Sequence, residues 1–182
     1  MPQTISEINS DGYQIMRLPL KISTSRVGGI KVEKVYVVNN TSNWTRYVFK
    51  LKDIYCDYST AFSSSLSNAY GVSYVEDIPN NLNHVDFHLE KNFTIENEYF
   101  VDFSISFEPL SGPIVTGNFS ATLYIEYTFL DTFANNTHIV NLTGTCVQDN
   151  IQNIDGVPVL SDNYQLSISG QLFNAEGFIN IG

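Results

Sequence analysis

The sequence has few cationic residues, few cysteines and few histidines, and each shortage narrows the possible functions. Only 9 of the 182 residues are Lys or Arg, against 19 Asp or Glu, which gives a formal net charge of −10. Such a chain lacks the basic surface that binds nucleic-acid phosphates, so nucleic acid is not an expected partner. The two cysteines, Cys56 and Cys146, are not in a CxxC arrangement and indicate neither a zinc site nor a redox motif. Both are expected to be reduced.

Long hydrophobic runs are also missing. No stretch approaches the ~18 consecutive apolar residues of a membrane-spanning helix. The N-terminus has no basic start followed by an apolar run, so no signal peptide is predicted. We therefore expect no membrane partner and, if the protein is cellular, a location in the cytoplasm.

The residues that are abundant predict an all-β fold. Hydrophobic residues make up 43% of the chain and aromatic residues 13%, which is enough for a substantial core. Apolar residues alternate with polar ones in many short segments, most clearly in residues 98–107 and 119–129. No amphipathic helical pattern interrupts them. The spacing predicts an antiparallel β-sandwich.

The pattern divides the chain into three parts. Residues 1–26 are expected to form a basic N-terminal arm with an edge strand, because Pro19 lacks the backbone N–H that an internal strand needs. Residues 27–148 form the predicted sandwich, with a long loop at 54–83. Residues 149–182 form a C-terminal strand extension.

Charge is distributed unevenly along the chain. The first 52 residues hold eight Lys or Arg and three acids, for a net +5, whereas the remainder holds one Lys and sixteen acids, for a net −15. Two interpretations stay open. A projecting basic arm could dock on an acidic partner, or the basic strands could pair with acidic ones within one fold.

Three motifs give the chain a resemblance to a known family. They are VYVVNNTS (Val35 to Ser42), SFEPLSGPIVTGNFSATLYI (Ser106 to Ile125) and NLTGT (Asn141 to Thr145). The region from Val35 to Val147 resembles the ASH/MSP (Hydin-type) branch of immunoglobulin-like β-sandwiches, although Cys146 stands where that branch usually has a second Gly. The resemblance implies an antiparallel immunoglobulin-like β-sandwich that is non-catalytic and makes protein contacts.

Candidate sites are few. His84, Asp86, His88 and Glu90 share one face of a predicted strand, but a polar solvated face explains them better than a metal site does. No nucleophile, phosphate-loop or dinucleotide motif is present, so no enzyme, cofactor or metal is expected. The residues expected to bind a partner are those of the N-terminal arm: Tyr13, Met16, Arg17, Leu18, Leu20, Lys21 and Arg26. A second possible surface comprises the loop tyrosines Tyr55, Tyr58, Tyr70 and Tyr74.

Two functions follow as hypotheses. The first is a structural or assembly protein, such as a capsid decoration or head-to-tail joining subunit of a virus or phage. Its termini would bind neighbouring protein subunits, including copies of itself. The alternative is a carbohydrate-binding or adhesive module that uses the loop tyrosines.

Overall fold

A computed structural model shows that the protein is all-β. It describes residues 3–40, 48–55, 74–77, 86–89, 93–97, 99–111, 114, 116–148, 151–160, 164–170 and 175–182, and none of these is helical. The strands in this part of the chain are β1 Ile5–Ile8, β2 Gln14–Thr24, β3 Ile30–Asn39, β4 Phe49–Tyr55, β5 Tyr74–Asp77, β6 Asp86–Leu89, β7 Phe93–Ile95, β8 Phe100–Phe107, β9 Gly117–Phe129, β10 Asn135–Gln148, β11 Ile151–Ile154, β12 Val157–Leu160, β13 Tyr164–Gly170 and β14 Phe178–Ile181.

Two sheets and one hairpin account for these strands. The first sheet has the order β1-β2-β8-β4, with β14 also paired to β2. The second has the order β13-β10-β9-β3-β6-β5, with β7 also paired to β3. All pairs are antiparallel except β14 with β2. The β11–β12 hairpin turns at Asp155 and Gly156, which both have positive φ, as a tight two-residue turn requires.

The core lies between the two sheets. Alternate residues of β2, β8 and β4 in one sheet face alternate residues of β3, β9 and β10 in the other, and these rows form a single buried cluster. Phe107 of the first sheet stacks on Phe49 at 4.9 Å and packs on Phe119 of the second sheet at 5.9 Å. The prediction of two facing antiparallel sheets is therefore confirmed at this level.

Asn39 joins the two sheets at one end of the sandwich. Its Nδ2 donates to the carbonyl of Phe49 at 3.1 Å, and the N–H of Phe49 donates to its Oδ1 at 3.0 Å. The amide thus occupies both backbone groups of Phe49, as a neighbouring strand would. Because the bonds are buried, this contact fixes where β4 begins relative to the end of β3.

The N-terminal segment is not a projecting arm, which differs from the expectation. β2 pairs with β8 on one edge and with β1 and β14 on the other, so it is internal to its sheet. Leu18, Leu20 and Ile22 are fully buried, as a central strand of the core requires. Deleting residues 1–26 would remove this strand and would not leave the sandwich folded.

Pro19 lies where β2 has no partner on one edge among the described strands. β1 pairs with β2 only up to Arg17, and β14 pairs only from Lys21 onward. The N–H of Lys21 donates to Gly177 on the β14 side at 2.8 Å. Since backbone groups alternate in direction along a strand, the nitrogen of Pro19 faces the gap between β1 and β14. Pro19 has no backbone N–H to donate, and it lies at a short unpaired stretch of a strand that is otherwise internal to the sheet.

Several short strands were not predicted from the sequence. β1 lies in the polar residues 1–12, β5 lies within the predicted loop at 54–83, and β11 lies in the polar stretch 147–156. Each has only four residues and shows too little alternation to stand out. The rest of the 54–83 loop, apart from the last two residues of β4, lies outside the described residues.

Ion pairs within the fold favour the second interpretation of the charge asymmetry. Arg26 pairs with Asp131 at 3.0 Å, Lys21 with Asp102 at 3.8 Å and Lys50 with Glu108 at 3.8 Å. Each pair joins a basic residue of the first 52 residues to an acid of the remainder. The basic N-terminal strands thus neutralise part of the acidic body of the same molecule.

Candidate functional site

The seven residues expected to bind a partner do not form one surface. Five of them lie on β2, where successive side chains point to opposite faces. Leu18 and Leu20 face the core, while Arg17 and Lys21 face outward. Met16 is partly buried against the core. Arg17 pairs with Glu7 at 2.6 Å, and Arg26 is paired with Asp131. Tyr13 is exposed just before β2 begins.

Lys21 is held by its surroundings on the outer face of β2. Its ammonium lies 5.6 Å from the ring centroid of Phe178 and 6.0 Å from that of Phe100, in addition to its pair with Asp102. The two rings meet edge to face at 5.6 Å. Lys21 therefore links β2 to both neighbouring strands and stabilises the sheet.

Most of the other residues singled out from the sequence lie outside the described part of the chain, or have side chains that are not described. Tyr58, Tyr70, His84 and Glu90 lie outside the described residues. The backbones of Tyr55 and Tyr74 belong to β4 and β5, and those of Asp86 and His88 to β6, but their side chains are not described. Cys146 is fully buried on the core side of β10, and Cys56 lies outside the described residues. These hypotheses remain predictions.

Two turns clamp one end of the sandwich. The β2–β3 turn (residues 25–29) and the β9–β10 turn (residues 130–134) together form what we call the clamped end. The Nε of Arg26 donates to both carboxylate oxygens of Asp131, at 3.0 and 3.2 Å, and its guanidinium lies 4.0 Å from the ring centroid of Phe129. The N–H of Leu130 donates to the carbonyl of Gly29 at 3.2 Å. The two turns are therefore joined by direct contacts of side chains and backbone.

Electrostatics and sterics support this clamp. The hydrogen bond from Arg26 lowers the pKa of Asp131, so the carboxylate stays ionised at mildly acidic pH. A Cβ at Gly28 would lie 2.9 Å from the Cβ of Asp131, which explains why the β2–β3 turn has no side chain there. The hydroxyl of Thr24 donates to the carbonyl of Ile181 at 2.6 Å and ties the C-terminus to the same end.

The clamped end presents two exposed apolar side chains. Val27 is 91% exposed and Phe133 is 78% exposed. Phe133 also has φ of +58°, a left-handed conformation that bulky residues rarely adopt and that normally selects Gly or Asn. The β9–β10 turn therefore carries an aromatic residue at a position where the backbone conformation costs stability and the ring gains little burial.

A cleft lies beside the clamped end, at an irregularity in β3. The register between β3 and β9 shifts between Val32 and Lys34, so Glu33 is the extra residue of a β-bulge. Next to it is an open cavity of about 430 Å³, which we call the bulge cleft. Its lining residues are Glu33, Glu126, Tyr127, Asn135, Asn136 and Thr137.

Neighbouring groups hold the polar wall of the bulge cleft. Lys31 lies 3.7 Å from the Oε1 of Glu33. The hydroxyl of Thr128 lies 3.1 Å from the same oxygen and 2.6 Å from the Oδ1 of Asn135, and its one proton can be donated to either. Burial raises the pKa of Tyr127, so its phenol remains a neutral hydrogen-bonding group at physiological pH.

Sequence reasoning did not single out the clamped end or the bulge cleft. Val27 stands directly before Gly28 and Gly29, and Glu33 stands within the alternating run IKVEKVYVV, so the sequence context marks neither residue as part of a site. One usable sign was present. Phe133 follows Asp131 and Thr132 and precedes Asn135, so an aromatic residue stands in a stretch of turn-forming residues.

Comparisons with known proteins leave the function to be argued from this geometry. No protein-family model matches the chain, and no curated protein or solved structure matches it. Within the described ranges, no three His, Cys, Asp or Glu side chains are grouped so that they could hold a metal ion. The same ranges contain no helix that is long and apolar enough to cross a membrane.

Proposed function

We propose that the protein is a non-catalytic structural or assembly protein that docks on neighbouring protein subunits through its clamped end. In this proposal the two sheets form an immunoglobulin-like sandwich that acts as a rigid spacer. The assembly is a virus or phage particle, in which the protein is a decoration or joining subunit.

The observation that carries the proposal is the conformation and exposure of Phe133. A left-handed non-Gly residue costs roughly 1 to 2 kcal/mol, and a ring that is 78% exposed in the isolated protein offsets little of this cost. Such local costs are typical of positions kept for function. Aromatic side chains on a rigid support are also the commonest energetic anchors of protein interfaces.

The clamp gives the anchor its rigidity. Because Arg26, Asp131 and Gly29 tie the two turns together, the backbone segments that carry Phe133 and Val27 are joined before binding. An ordered anchor loses less conformational entropy on association than a free loop does. This assigns Arg26 to positioning the docking surface, whereas the termini complete the first sheet.

Replacing Phe133 with Gly separates docking from folding. We expect Phe133→Gly to leave the stability of the isolated protein unchanged or to raise it by up to about 1 kcal/mol, because Gly adopts positive φ without strain. Its incorporation into the native assembly should nevertheless fall at least tenfold. Incorporation is measured by mass spectrometry of purified assemblies after expression of a tagged chain in the native source.

Asp155→Gly is the matched control. Asp155 is also an exposed residue with positive φ, +52°, but it lies in the β11–β12 turn. This variant should assemble as the wild type does. Wild-type incorporation of Phe133→Gly, or recovery of the native protein only as a free monomer, would reject the proposal.

A further inference from the structure

We propose that the bulge cleft is a binding site for a neutral sugar residue. This activity does not depend on the proposed docking role, because it uses different side chains. It also differs from a sugar site built on the loop tyrosines, since none of those residues lines the cleft.

The hydrogen-bonding groups of the bulge cleft match a polyhydroxylated ligand. The carboxylates of Glu33 and Glu126 accept hydrogen bonds, the amide of Asn135 both donates and accepts, and Thr137 supplies a hydroxyl, whereas Asn136 and Tyr127 occupy the alternate positions of β10 and β9. Adjacent hydroxyls of a sugar need this mixture of donors and acceptors. The volume of about 430 Å³ falls in the range of small-ligand sites.

The same residues exclude other ligand classes. None of the six lining residues is cationic, and the ammonium of Lys31 beside the cleft is paired with Glu33, so the lining favours a neutral ligand over a phosphorylated or sulfated one. Tyr127 is the single aromatic residue among them, and no aliphatic side chain accompanies it, so a purely apolar ligand would leave the polar groups unsatisfied. A neutral polar ligand satisfies both conditions.

The β-bulge explains why the cleft exists at this position. A regular strand would give Glu33 a partner on β9, whereas the extra residue is left without one. Lys31 and Thr128 both contact Oε1 of the Glu33 carboxylate and fix its position. Among the described residues, Oε2 is left for a ligand. The carboxylate is therefore oriented before any ligand arrives.

The sheet surface next to the cleft suits a ligand longer than one sugar. Tyr124 lies two residues before Glu126 on the same face of β9, and its register partner on β10 is Ile139, which is half exposed. On its other side Tyr124 stacks on Tyr36 at 4.8 Å. Sugars present apolar C–H faces as well as hydroxyls, so an oligosaccharide could extend from the cleft onto this apolar row.

The test is a screen of neutral oligosaccharides on an array, followed by NMR titration of the purified chain with the best binder. We expect binding that shifts the amide resonances of Glu33, Glu126 and residues 135–137. Glu126→Gln and Thr137→Val should each weaken the affinity by about tenfold, in line with the loss of one hydrogen bond to a carboxylate or hydroxyl. Thr143→Val, on the same face of β10 but outside the cleft, should leave the affinity unchanged.

Three outcomes would overturn this inference. They are the absence of any neutral sugar binding at millimolar concentration, sugar binding that the cleft variants do not weaken, and preferential binding of an amine such as free arginine. Phe133→Gly should not change the sugar affinity. The result therefore stands apart from the docking experiment, and either proposal can fail alone.

Discussion

Gly144 of β10 determines how closely the two sheets approach each other. A Cβ at this position would lie 2.8 Å from ring atoms of Phe107 and 2.9 Å from the Cζ of Phe49, both in the facing sheet. We expect Gly144→Ala to destabilise the fold by about 1 to 3 kcal/mol, because two mutually packed buried rings must shift. The change in the free energy of unfolding is measured by urea denaturation, with far-UV circular dichroism as the signal.

A second substitution checks that the cost at Gly144 is steric. Phe107→Leu removes the ring atoms that the new methyl group would meet, so Gly144→Ala should cost less in that background than in the wild type. Costs that simply add in the double variant would show that the methyl group and the Phe107 ring do not interact.

His138 is expected to make the stability of the fold depend on pH. It continues the core-facing row of β10 next to Val140, opposite Ile125, and burial lowers its pKa below the ordinary value. The unfolded chain therefore binds the proton more readily than the folded one. Stability should fall as the pH drops through the unfolded pKa of about 6.5, and the loss should stop below the folded pKa.

The contribution of His138 is measured against a variant that cannot titrate. Unfolding free energies of the wild type and of His138→Gln, determined between pH 8 and pH 5, should converge as the pH falls, because only the wild type loses the contribution of neutral His138. His84 and His88 are present in both proteins, and their titration cancels in the difference. A constant difference across this range would contradict the prediction.

At the scale of strands, the last element of the chain stabilises the first sheet more than the first element does. β14 places Ile179 and Ile181 in the core, whereas Ile5 and Ile8 of β1 are exposed. We expect deletion of residues 175–182 to prevent stable folding, and deletion of residues 1–8 to cost no more than about 2 kcal/mol. Thermal unfolding of both truncated proteins makes the comparison, and equal losses would contradict it.

A milder variant guards against total loss of folding. Ile179→Ala should destabilise the protein by about 2 to 5 kcal/mol, the usual cost of truncating a buried Ile. Ile8→Ala, at an exposed position of β1, should change stability by less than about 0.5 kcal/mol.

Strands also show how far the sequence predicts this fold. The alternation in residues 98–107 and 119–129 locates β8 and β9 and most of their buried residues, because one row of alternate residues in each is apolar over many positions, although Tyr99 at the start of the first row is exposed. Which strands pair with each other is harder to predict from the sequence. β14 joins β2 in parallel from the far end of the chain, and neither alternation nor spacing encodes such a long-range partner. The expectation that Pro19 marks an edge was right locally, yet β2 as a whole is internal.

The candidate sites were predicted less well than the strands, for a physical reason. Arg17, Lys21 and Arg26 drew attention because the first 52 residues are basic. Within the fold, however, Lys21 and Arg26 pair with Asp102 and Asp131, which are distant in sequence, and Arg17 pairs with nearby Glu7. The bulge cleft depends on a register shift that the sequence does not display. Phe133 depends on a backbone conformation that only the turn geometry defines.

For the whole molecule, net charge opposes association and the clamped end favours it. At pH 7 a formal charge of −10 repels other copies, and this repulsion vanishes near the pI of about 4.5. Asp131 still carries its charge at that pH, because its pKa is lowered from 3.8, so the pair with Arg26 persists. The exposed Val27 and Phe133 therefore remain in place while the repulsion disappears.

Self-association should consequently be strongest near pH 4.5 and should depend on those two residues. Sedimentation velocity at pH 4.5 and pH 7.5 is expected to show larger species only at the lower pH, with far-UV circular dichroism confirming that the sheets persist. The double variant Val27→Ser, Phe133→Gly should lower the associated fraction severalfold, because it removes the apolar contact that charge repulsion otherwise masks. Val157→Ser, at an exposed position beside the β11–β12 turn, should not lower it. Equal association of all three proteins would mean that the clamped end has no affinity for protein surfaces of this kind.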